Sequence, residues 1–155
     1  MATGIIVIHC WTEMQHPFEL QAMDNIKQVL EHKDLPTLGT RITRADIRPL
    51  LKEHTDHDLM LEKNKIQLQK WLEDNDIDHV ALVGLHYNLC MRQLESRLFE
   101  ICEAMGRHWN NDFKVSVIEE CTAASVGDKV LQIQEYKQDN ETHNLVSIEQ
   151  WQKNL

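Results

Sequence analysis

The 155-residue chain has no apolar run long enough to span a bilayer or to serve as a signal peptide. Its longest early apolar stretch, IIVI at 5–8, falls far short of the roughly 20 residues a spanning helix needs. It also lacks an excess of positive charge. Lys and Arg number 16 against 25 Asp and Glu, for a net charge of -9, which removes the attraction that binding to a phosphate backbone rests on. The four cysteines, Cys10, Cys90, Cys102 and Cys121, form no C-x-x-C pair and no regular spacing. That pattern argues against a zinc ribbon, a redox dithiol and a disulfide framework. No internal repeat, linker or low-complexity tract interrupts the chain. These absences predict a soluble, cytoplasmic protein with free thiols and with no nucleic-acid or membrane partner.

What is present is enough for one compact domain over 1–155. A chain of this length buries roughly two thirds of its unfolded surface, so its core needs neither metal nor disulfide. The hydrophobic fraction, 42% against 26% charged, excludes a disordered chain.

GIIVIHCW, 4–11, is a continuous apolar run of the kind that suits a strand buried on both faces of a parallel sheet. Pro17 then opens a helix to about His32, with Phe18, Ala22, Ile26, Val29 and Leu30 at helical spacing. LPTLGTRI, 35–42, has weak strand character, and RADIRPLLKEHTDHD reads as irregular or short helical structure broken by Pro49. LMLE, 59–62, is a short strand candidate, and a helix follows from about 65 to 75. DHVALVG, 78–84, is the strongest strand signal. After it the spacing predicts a helix from Asn88, as N-cap, to Gly106, as its stop. FKVSVIEE, 113–120, is another strand, CTAASVGDKVLQIQEYKQ a loop and helix, and NLVSIEQW, 144–151, a last strand. Strands alternating with helices imply a three-layer α/β fold, a Rossmann-like parallel sheet of five or six strands flanked by helices. In such sheets the ligand sits beyond the carboxyl ends of the strands.

Residues 76–125, and GLHYNLC at 84–90 above all, resemble the nucleophile half of the isochorismatase-like cysteine hydrolases, which include isochorismatases, nicotinamidases and N-carbamoyl amidohydrolases. Gly84, Leu85, Asn88, Cys90, Gly106 and the VSVIEECTAAS segment match the family pattern in order and spacing, with Tyr87 where Thr is usual. GIIVIHCW is similar to the family's opening strand, with His9 at the catalytic Asp position and Trp11 at the usual Gln. The family lysine corresponds to Lys63, with Lys65 as the competing choice. The chain is shorter than usual for the family, and the missing length falls between 40 and 66.

The resemblance implies that the Cys90 thiolate attacks a carbonyl carbon of a small-molecule substrate, without a cofactor. Leu85, His86, Tyr87, Asn88 and Trp11 are then the substrate-binding and oxyanion residues. A helix N-terminus is a good place for such a thiolate, because backbone N–H groups lower the thiol pKa there. His9 can act as the base in place of Asp, and Glu13 and His16 are alternative acid-base groups read as a solvated loop. The same His9, with Tyr87, leaves a second reading open: a catalytically inactive member of the fold, used for binding or assembly. Family members commonly associate through helices, so a homo-oligomer is also expected. EHTDHD, 53–58, gathers possible metal ligands but reads as a charged surface loop, and TRADIRP has Arg48 where a metal-binding His would stand. No metal site is expected. Cys10, Cys102 and Cys121 read as core residues, and Trp71, Trp109 and Trp151 as packing or interface residues.

Overall fold

The computed structural model describes residues 2–8, 17–32, 34–55, 65–84, 98–122 and 145–155. Ala2–Ile8 form β1, Pro17–Leu30 α1, Thr37–Thr40 β2 and Glu53–Thr55 β3. Lys65–Asp74 form α2, Ile77–Gly84 β4, Leu98–Trp109 α3 and Lys114–Ile118 β5. Leu145–Val146 form β6 and Ile148–Lys153 α4. Short 3-10 turns lie at Arg48–Leu50 and Glu119–Cys121.

The strands make a six-stranded sheet in the order β3-β2-β1-β4-β5-β6, with every pair parallel. The expected α/β Rossmann-like class is therefore the observed one. β1 and β4 lie at the centre, so both of their faces must be apolar, and Ile5, Ile6, Val7 and Ile8 are buried in sequence. Burying each such side chain contributes about 1.5–3 kcal/mol. Alternate residues serve opposite faces. Ile5, Val7, Ala81, Val83 and Ile118 pack against Ala22, Met23, Ile26 and Val29 of α1 and Ile148 and Trp151 of α4. Ile6, Ile8, Val80, Leu82 and Val117 pack against Leu68, Trp71 and Leu72 of α2 and Cys102 of α3. Trp71 and Trp151 are thus packing residues, as expected.

Three expectations change. Gly106 does not stop α3, which continues to Trp109. Its lack of a side chain admits the Phe113 ring, which a Cβ would overlap. The segment 144–151 is not one strand. β6 ends at Val146 and a capping box starts α4, with Ser147 Oγ accepting from the Gln150 N–H at 3.1 Å and Gln150 Oε1 accepting from the Ser147 N–H at 3.0 Å. Finally, EHT of EHTDHD is the edge strand β3, in register with Leu38–Thr40, while 56–58 and the LMLE strand candidate lie outside the described residues, as does the helix expected within 121–138.

Candidate active site

The strand order reverses at β1 and β4. From β1 the chain steps outward to β2 and β3, and from β4 it steps the other way to β5 and β6. α1 covers one face while α2 and α3 cover the other, so the helices part over the carboxyl ends of β1 and β4. This is the switch point at which open α/β sheets hold ligands.

Ile8 and Gly84 are register partners at those ends. Gly84 has φ +123°, a conformation that only glycine adopts without strain. A Cβ there would collide with the Ile8 carbonyl oxygen and lie 2.8 Å from its amide nitrogen. The strand-ending glycine is therefore needed for its backbone and for the close approach of β1. His9 and Leu85 are the residues that follow this pair in the sequence.

Of the expected site residues, His9, Trp11, Lys63, Leu85, His86, Tyr87, Asn88 and Cys90 lie outside the described residues, as do Glu13, His16 and Cys10. The competing Lys65 is half-buried at the start of α2. α2 enters the amino end of β4, so its own start lies toward the carboxyl side of the sheet. Asp76, in the connection between them, accepts a hydrogen bond from the Ala2 N–H at 2.8 Å.

Around this edge the frame is held by Glu120, which follows β5. Its backbone carbonyl accepts a hydrogen bond from Asn25 Nδ2 at 2.7 Å, and its carboxylate accepts one from the Ile148 N–H at 2.7 Å. One residue thus ties α1 and the head of α4 to the end of β5. Two polar side chains at the same end were not anticipated. Glu19, in the first turn of α1, is the one buried carboxylate among the described residues, at 7% exposure. Its signal was available in the sequence: Glu19 stands three, four and seven positions before Ala22, Met23 and Ile26, on the apolar stripe of its own helix. Thr122 is fully buried, and its hydroxyl has no hydrogen-bond partner among the described residues.

The cysteines divide clearly. Cys102 and Cys121 are fully buried, and burial pushes the Cys102 thiol up to about 12, so it stays protonated and inert at neutral pH. Both are core residues, as read. His54, in the acidic cluster of the sequence, uses Nε2 to accept a hydrogen bond from the Ile42 N–H at 3.2 Å, which commits that ring nitrogen to the fold. Among the described residues no three His, Cys, Asp or Glu side chains are grouped to hold a metal, and none of the helices is long and apolar enough to cross a membrane.

No family model and no curated protein matches the chain. Solved structures do. The YcaC gene product of Escherichia coli, described as an octameric hydrolase of unknown specificity, superposes with a TM-score of 0.57 at 9% identity, over 94% of this chain and 75% of that one. The chain shares the fold of YcaC. YcaC from Pseudomonas aeruginosa, solved with hexane-2,5-diol and covalent acrylamide, gives a TM-score of 0.53 at 9% identity, over 94% and 76% of the two chains. At that identity the likeness concerns architecture.

Proposed function

We propose that this chain is a hydrolase of the isochorismatase-like type, opening an amide, carbamoyl or related bond of a small molecule through the thiolate of Cys90. One juxtaposition carries the reading: the GLHYNLC segment begins at Gly84, the register partner of Ile8, at the switch point of a fold shared with a hydrolase. In this reading the thiolate attacks the carbonyl carbon, and backbone N–H groups of the 85–88 turn receive the oxyanion. His9 takes the thiol proton and delivers it to the leaving nitrogen, while Lys63 offsets the developing negative charge. Water then attacks the thioester, His9 takes its proton, and the acid leaves as the thiol is restored. Tyr87 and Trp11 narrow the site toward small substrates.

His9 in the Asp position, with Tyr87 where Thr is usual, favours a second reading: a non-catalytic member of the fold serving in binding or assembly. The octameric state of the E. coli YcaC hydrolase supports a homo-oligomer under either reading.

Alkylation separates the two readings. The P. aeruginosa YcaC structure contains covalent acrylamide, so an alkylating amide is an apt probe for a protein of this fold. Iodoacetamide at neutral pH is expected to modify Cys90 stoichiometrically and faster than free cysteine. A rate no greater than that of free cysteine sinks the hydrolase reading. Hydrolysis of a small amide and carbamoyl panel by the native chain, lost in Cys90→Ser, supports it. Hydrolysis seen only in His9→Asp establishes the second reading.

A further inference from the structure

The sheet face that packs on α1 and α4 changes character toward its amino edge. On β1, β4 and β5 the positions that continue this face are Thr3, His79, Lys114 and Ser116, in step with the buried Ile5, Ala81 and Ile118. Thr3 pairs with His79 and His79 with Lys114, so a polar row crosses three adjacent strands at one level. With Trp151 of α4 and Asp112 these side chains line a cavity of about 540 Å³, a size that suits a small molecule. Thr3 and Ile8 are the second and last residues of β1, about 16 Å apart at the strand rise. The cavity is therefore distinct from the candidate active site.

Its polar groups are held in place by the fold, and one of them keeps an unused donor. Trp151 is 1% exposed and its indole N–H has no hydrogen-bond partner among the described residues, a deficiency that native proteins rarely leave uncompensated. Ser116 is equally buried, and its hydroxyl shares a 2.8 Å hydrogen bond with His79 Nε2. Burial holds the His79 imidazole below its ordinary value, with Asp78 opposing and Lys114 adding to the shift, so the ring is neutral at pH 7 and the row's formal charge comes from Lys114. Asp112 and Asp78 bring the opposite charge to the same cavity, and no ion pair among the described residues joins either of them to Lys114. Separated charges of both signs, beside buried neutral donors, match a ligand that itself carries both signs.

We propose that this cavity binds a small zwitterion of the free α-amino acid class. The ligand carboxylate meets the Lys114 ammonium and the Trp151 N–H, its ammonium meets the Asp112 carboxylate, and the His79–Ser116 pair supplies a neutral polar floor.

The test uses the full ¹⁵N-labelled chain titrated with a panel of free L-amino acids, with acetate and methylammonium as single-charge controls. At least one amino acid is expected to shift the amide signals of Thr3, His79, Lys114 and Ser116 and the indole N–H of Trp151 saturably, and neither control to do so. Lys114→Met and Asp112→Asn are each expected to weaken binding roughly tenfold, the loss of one charge-assisted hydrogen bond, with melting temperatures unchanged. The proposal is overturned if no amino acid moves these signals. It also fails if acetate alone moves them with equal affinity, or if both variants bind as tightly as the native chain.

Discussion

Ile8 and Gly84 face each other across the β1–β4 pair, and the Gly84 backbone at φ +123° approaches Ile8 too closely for any side chain to fit between them. The segments carrying His9 and the GLHYNLC motif therefore continue from partnered positions on neighbouring central strands.

Gly84→Ala is expected to lower unfolding free energy by about 2–4 kcal/mol, combining backbone strain with overpacking against Ile8. Urea denaturation of the variant measures it. A loss below about 0.5 kcal/mol, the level of a neutral surface change, would show that the contact is not tight.

Gly106→Ala improves intrinsic helix propensity by about 1 kcal/mol, yet the new methyl overlaps the Phe113 ring. Overpacking is expected to win, for a net destabilisation of about 1–2 kcal/mol. In a Phe113→Leu background the penalty should shrink, because the ring that meets the methyl is gone. A double-mutant cycle reads this coupling directly, and additive effects would contradict it.

His79 titrates below its ordinary value of 6.5 because burial penalises the imidazolium. The unfolded chain thus binds the proton more tightly than the folded one, and stability rises with pH in the interval between the two pKa values. Stability is expected to be complete above 6.5 and to fall as the pH drops through the folded value. His79→Gln keeps a polar partner for Ser116 and removes the titration. Chemical denaturation at a series of pH values should show a flatter profile for that variant below 6.5, and an unchanged profile would assign the slope to other groups.

Cys102 and Cys121 are fully buried, and the Cys102 thiol is pushed up to about 12. Both are expected to resist iodoacetamide in the native chain and to react once it is unfolded in urea. Peptide mapping by mass spectrometry distinguishes them from Cys90. Labelling of Cys102 without denaturant would show that the core of α3 opens.

Much of the architecture could be read from the residues because its signals are local. The apolar run of β1, the stripe of α1 and the strand ending at Gly84 each declare themselves within a few positions. The capping box of Ser147 and Gln150 is also local, but two apolar residues before it, Leu145 and Val146, made the whole segment look like a strand. β3 gave no such signal. Of its residues Glu53 is exposed and His54 half-buried, and it is a strand because Leu38, Gly39 and Thr40 offer it hydrogen bonds.

The site divides in the same way. The GLHYNLC motif and the departures at His9 and Tyr87 are properties of the sequence, and they bring the cysteine-hydrolase reading with them. The buried Glu19 was visible on its helix stripe, whereas the orphaned hydroxyl of Thr122 was not. Residue order alone determined the apolar runs, their periods and hence the α/β class, since hydrophobic spacing is set by neighbours along the chain. The tertiary structure alone decided that Ile8 meets Gly84, that Gly106 yields to Phe113, and that Thr3, His79 and Lys114 stand in one row. Register and close approach are relations between residues far apart in the chain, and they exist only after the hydrogen-bonded sheet has brought those residues together.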